Sequence, residues 1–150
     1  MGASVESHDH GAAALVKAFK SMRGLVLRVG ILQGDDSHGG ATVGEIAEFH
    51  EFGTETIPQR SFIRAWYDEN FERNRALFKI MMARVTRGQL TQEQAFHQLG
   101  SLFVAQIQQR IVDGIPSPLA DSTIKAKGSS TPLIDTGQLK ASITYEVEVG

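Results

Sequence analysis

The side chains able to do chemistry are few and scattered. The chain carries five histidines. His8 and His10 stand two apart in a small, polar stretch, whereas a metal site needs ligands held in fixed geometry. His38 sits alone in a glycine loop. His50 precedes Glu51 in Glu48-Phe49-His50-Glu51-Phe52, but no HExxH spacing puts two imidazoles on one helical face. It reads as a packing or surface histidine, and His97 as a solvated one in mid-helix. Asp35-Asp36 resembles the opening of a calcium loop, yet no acidic residues follow at the required spacing, so the pair reads as a solvated hairpin tip. No GxSxG or phosphate-loop pattern is present, the motifs that would mark an elbow-borne nucleophile or a nucleotide cradle. Asp135-Thr136-Gly137 matches the triplet of aspartic proteases, but those enzymes pair two such carboxylates and one triplet stands here. It reads as a turn, with Asp135 capping the short segment 138–141. The expectation is a chain with no catalytic residue, no metal ligand and no cofactor.

Composition bounds the classes further. The 150 residues suit one domain, enough chain to bury a core. Hydrophobic residues at 41% and charged residues at 21% belong to ordinary globular material. No cysteine is present, which removes disulfides and thiolate chemistry and fits a reducing cytosol. A net charge of -2 is not the basic balance of a protein that wraps DNA phosphates. Arg60, Arg64, Arg73, Arg75, Lys79, Arg84 and Arg87 tint one segment basic, but interleaved acids predict a salt-bridged solvated face; a nucleic-acid-binding module is the reading of another class. No apolar run approaches the roughly 20 residues that span a bilayer, and the N-terminus lacks the pattern of a signal peptide.

The elements that must position these residues follow from periodicity. Residues 1–11 read as a flexible N-terminal arm, and 12–150 as a single domain. Ala12, Leu15, Val16 and Phe19 have helical spacing before Gly24. Residues 25–32 are aliphatic and β-branched, which predicts a strand buried mostly on both faces. Thr42 caps a short helix that Gly53 ends. A long helix is predicted over 61–87, with Ile63, Tyr67, Phe71, Phe78, Met81, Met82 and Val85 on its apolar face. Gly88 closes it. Thr91 and Gln94 form a capping box, and Phe96, Leu99, Phe103, Ile107 and Ile111 carry a second helix to Gly114. One or two helical turns are predicted within 122–127, and residues 142–149 alternate as a strand with one wet face. The whole predicts an α+β fold: a small, mainly antiparallel sheet packed with two long helices and a shorter N-terminal helix.

Three stretches in order carry a resemblance. Val29-Gly30-Ile31-Leu32 and a glycine-rich loop lead to Glu45-Ile46-Ala47-Glu48-Phe49-His50-Glu51-Phe52-Gly53-Thr54. Ile57-Pro58-Gln59-Arg60-Ser61-Phe62-Ile63-Arg64 opens the long helix. Ser117-Pro118-Leu119 with Thr123-Ile124 precedes Pro132-Leu133-Ile134-Asp135-Thr136-Gly137-Gln138-Leu139 and a strand opening Ser142-Ile143. This order, over roughly residues 25–147, resembles the neck or tail-component (tail completion, virion morphogenesis) proteins of long-tailed double-stranded DNA bacteriophages. Ser61 stands where such proteins often carry proline, and the helix pair is not diagnostic. The resemblance implies a structural virion protein, not an enzyme, at the head–tail joint: a homo-oligomeric ring, expected as a hexamer, joining the portal-side connector to the tail. A tail terminator capping the tube is the neighbouring reading. Implied partners are further copies of the chain, head–tail connector and tail terminator or tube proteins, and genomic DNA passing through the channel without sequence-specific binding; no membrane is implied. The protein would be made in the bacterial host cytoplasm and reside in the virion. Its interface is expected at Phe52, Thr54, Ile57, Pro58, Arg60, Arg64, Asp135, Thr136 and Gly137. Gly53 permits a sharp exit, Pro58 fixes the chain ahead of the helix, and Arg60 and Arg64 could pair with a neighbour's carboxylates.

Overall fold

The structure, a computed structural model, describes residues 12–32, 37–38, 41–56, 58–114 and 137–150. Its elements are α1 (Ala12–Ser21), β1 (Leu25–Gly30), β2 (Ser37–His38), β3 (Ala41–Thr42), α2 (Val43–Phe52), α3 (Ile63–Thr86), α4 (Gln92–Asp113), α5 (Gly137–Ala141) and β4 (Thr144–Val149). The fold is α+β, with two long helices against a small antiparallel sheet. The arm expected over 1–11 and the turns expected within 122–127 lie outside the described residues.

Capping chemistry sets the helix starts. Thr42 accepts the Glu45 amide at 3.2 Å while Glu45 accepts the Thr42 amide at 2.8 Å. Thr91 and Gln94 repeat this reciprocal arrangement at the head of α4, satisfying amides that a helix start leaves without intrahelical partners. Gly53 and Gly88 follow the ends of α2 and α3 with φ of 76° and 72°, a backbone region that favours glycine.

β1 pairs with β4 from Leu25 opposite Val149 to Gly30 opposite Thr144. Two strands alone are marginal in water; α4 packs on both. That one-sided cover corrects the expectation of a strand buried on both faces. Burial alternates along β1, with Val26 and Arg28 outward, and Arg28 reaches Glu146 and Glu148 at 3.5 and 3.3 Å across the wet face.

The close packing of α4 on β4 depends on Gly100. A Cβ there would stand 2.6 Å from Tyr145 Cγ and 2.8 Å from Cε2, with Cδ2 closer still. The Tyr145 ring crosses the helix at this point, its hydroxyl 3.3 Å from both His97 Nδ1 and Ser101 Oγ. On its other side α4 packs against α3. Trp66 meets Phe103 edge-on and donates its indole N–H to Gln106 at 3.0 Å. Glu69 pairs with Arg110, and Phe78 meets Phe96 further along. The core gathers Val43 and Ala47 of α2, Phe62 and Trp66, Ile107 and Ile111 of α4, and Leu139 with Ile143.

The apolar face of α3 departs from its sequence reading. Val85 is buried as read, but the other buried positions are Trp66 and Asn74, whereas Tyr67, Phe71 and Phe78 are 51%, 43% and 44% exposed. Packed helices cross obliquely, ridges into grooves. The buried line runs through Trp66, Asn74 and Val85 and leaves Tyr67 and Phe71 on its flank, with Phe78 half exposed against Phe96. Asn74 lies in that line with neither amide atom hydrogen-bonded among the described residues. A buried, unsatisfied amide costs its desolvation, so Asn74→Leu is expected to stabilise the fold by about 1 kcal/mol. Urea unfolding checks this; a lower midpoint for the variant would contradict it.

Candidate functional site

The stretch from Glu48 to Arg64 is built around one carboxylate. α3 starts without a side-chain cap of its own: Phe62 occupies the cap position, and the first turn holds no acid. The cap arrives from α2 instead. Glu51 Oε2 accepts the amides of Phe62 and Ile63 at 2.9 and 3.1 Å, and Oε1 accepts the Arg64 amide and the Ser61 hydroxyl at 2.8 and 2.7 Å. Ser61 Oγ in turn accepts the Ala65 amide at 3.1 Å. An anion at a helix N-terminus is favoured by the free N–H groups and by the helix dipole. Partial burial pushes the Glu51 carboxyl up, but the Ser61 hydroxyl and the Arg64, Phe62 and Ile63 amides outweigh it and hold the group below its ordinary value.

The intervening loop is tied to the same corner. Gly53 N–H donates to Phe49 O at 2.9 Å, and Arg60 N–H to His50 O at 2.7 Å. Gln59 Nε2 donates to Glu51 O at 3.0 Å, and Thr56 N–H to Thr54 Oγ1 at 3.3 Å. The corner is thus fixed at both ends by backbone bonds and in the middle by a charge.

The expected interface residues separate. Phe52 is 57% exposed, and the Arg64 guanidinium lies over its ring at 5.3 Å. Thr54 and Pro58 are exposed beside them. Arg60 precedes α3 and is 6% exposed, so its charge faces the interior while Arg64 faces out. Gly137 opens α5 at the surface. α5 packs on α2 and sends Leu139 into the core beside Val43 and Ala47, which brings residues 137–139 of the third sequence stretch against α2. Ile57, Asp135 and Thr136 lie outside the described residues.

All four donors around Glu51 are satisfied by an anion with a lowered pKa, and a carboxylate so engaged is not a base poised near neutral pH. Glu51 lines neither the groove of about 800 Å³ between α1, the β1–β4 end and the α3–α4 turn, nor the cleft of about 280 Å³ beside Trp66 and Arg110. Among the described residues no group of three or more His, Asp or Glu side chains could hold a metal ion, and no helix is long and apolar enough to cross a membrane.

The chain matches no known protein family, curated protein or solved structure.

Glu51 is the residue of this corner that spacing did not reveal. The one signal was indirect. α3 begins in a stretch with neither an acid in its first turn nor Ser, Thr, Asp or Asn at the cap, so its amides had to be met from elsewhere.

Proposed function

We propose that this chain is a structural subunit of the head–tail joint of a tailed bacteriophage. It forms a homo-oligomeric ring, most simply a hexamer, between the portal-side connector and the tail terminator or tube proteins, and leaves a channel through which DNA passes without sequence-specific contact. It resides in the virion and performs no catalysis. Support comes first from the ordered sequence motifs. The structural observation that carries the reading is the Glu51 corner. Two motif stretches are locked together by four hydrogen bonds to one carboxylate, and they expose Phe52, Thr54, Pro58 and Arg64 on a surface that cannot flex independently of α2 and α3. A ring repeats one contact around its axis, so each subunit must present it in one fixed geometry.

Reconstruction of the assembled particle tests the proposal. The chain is expected as a ring between portal and tail, and its absence from that junction would overturn the reading. Phe52→Asp changes a half-exposed ring and leaves the core intact. It is expected to lower the yield of tailed particles by about tenfold, the equivalent of ~1.4 kcal/mol of contact energy, with an unchanged melting temperature.

A further inference from the structure

The aromatic flank of α3 is a second exposed surface, separate from the Glu51 corner. Tyr67, Phe71 and Phe78 follow one another at spacings of four and seven residues on one side of the helix, each about half exposed. Tyr67 and Phe71 already stack edge-on at 5.5 Å. An aromatic side chain can bury roughly 150–250 Å², so three half-open rings offer on the order of 300 Å². That is a sizeable apolar centre for an interface needing roughly 800 Å² per partner.

Charge identifies the occupant. Asp68, Glu69 and Glu72, the acids of α3, lie in its first half with Arg73, and Arg75, Lys79 and Arg84 lie in its second half with no acid; Glu69 is held by Arg110 and Glu72 lies 3.7 Å from Arg75, which leaves Asp68 as the acid open to a second copy. Arg64 breaks the order, but its guanidinium is turned onto Phe52. A helix acidic in one half and basic in the other is complementary to itself when reversed. We propose that α3 packs antiparallel against α3 of a second copy, about a two-fold axis level with residues 72 and 73.

In that register Tyr67 of each copy meets Phe78 of the other, and the two Phe71 rings flank the axis. At a rise of about 1.5 Å per residue, Asp68 falls between Arg75 and Lys79 of the second copy. All three are exposed and, by the helical period, share one side of α3, so the two-fold brings them to the same side of the pair. The second helix starts near the level of Met82. The contact is isologous and closes on itself. It therefore yields a pair of free subunits and is distinct from the ring contact proposed above.

Sedimentation velocity on the full chain tests this. A concentration-dependent dimer is expected. Phe71→Lys should weaken it by roughly thirtyfold or more, as removal of a central aromatic anchor does. Asp68→Lys alone should also weaken it, and Asp68→Lys with Lys79→Asp should restore it, because both changes occur in both copies. Circular dichroism on each variant separates lost contact from lost fold. A wild-type chain monomeric at all concentrations, a dimer indifferent to Phe71→Lys, or a charge-swapped double variant no better than the single one would overturn the inference. A six-membered ring insensitive to these changes would overturn it and leave the head–tail reading standing.

Discussion

Glu51→Ala is expected to destabilise the fold by about 3 kcal/mol, the cost of leaving three helix-start amides and a hydroxyl without their shared acceptor. For a chain of this size that lowers Tm by about 10 °C. An ordinary local cap contributes about 1 kcal/mol; here the acceptor is charged, partly buried and shared by four donors, and it also ties two helices together. Glu51→Gln keeps one acceptor oxygen but directs an amide N–H₂ at remaining donors, so it should recover little of the loss. The ionised carboxylate contributes stability because its pKa is lower in the folded chain. That contribution is complete above the unfolded value of about 4.3 and fades as pH falls through the lower folded value. The gap between wild type and Glu51→Gln should therefore be constant near neutrality and shrink below about pH 4.3. Chemical denaturation across that range checks the sign. A gap that widens in acid would show that Glu51 acts otherwise.

Gly100→Ala is the second large effect. Alanine favours a helix over glycine by about 1 kcal/mol, so the substitution would stabilise an open helix. Here the new methyl would sit inside the Tyr145 ring. Either α4 lifts from β4 or the ring swings away from His97 and Ser101, and overpacking of this kind costs about 1–3 kcal/mol. The clash is direct and the neighbour is a ring on a paired strand, so the upper end applies and a net loss of about 2 kcal/mol is expected. In a Tyr145→Ala background the same change should be neutral or stabilising. That sign reversal in a double-mutant cycle ties the effect to the ring; simple additivity would refute it.

Much of the fold was legible in the sequence because local chemistry governs it. Thr42, Thr91 and Gln94 start helices through contacts three residues away, and Gly53 and Gly88 follow helix ends through their own backbone freedom. The readings that failed depended on distant chain. Residues 25–30 are aliphatic enough for burial on both faces, but Val26 and Arg28 stay exposed on the face opposite the one that α4 packs on. Tyr67, Phe71 and Phe78 are as apolar as any core row, yet packing buries Trp66, which the reading left out, along with Val85, which it included. Of the candidate site, Phe52, Thr54, Pro58 and Arg64 could be named from their motif. Arg60 could be named too, but nothing local says that its side chain turns inward. Glu51 was hidden because its partners lie ten to thirteen positions downstream, beyond any capping pattern.

The pairing of β1 with β4 carries a consequence for how the chain is made. Arg28 and Glu146 face each other across 118 positions, so the β1–β4 pair cannot close until β4 has left the ribosome. The α3–α4 hairpin, with its short connection, can assemble while synthesis continues. Loop closure over so long a separation is slow compared with helix pairing, and the nascent chain is expected to wait as a helical hairpin with the inner face of β1 uncovered. Kinetic φ-values near zero at Leu27 and Val147, with higher values along α3 and α4, would mark that order.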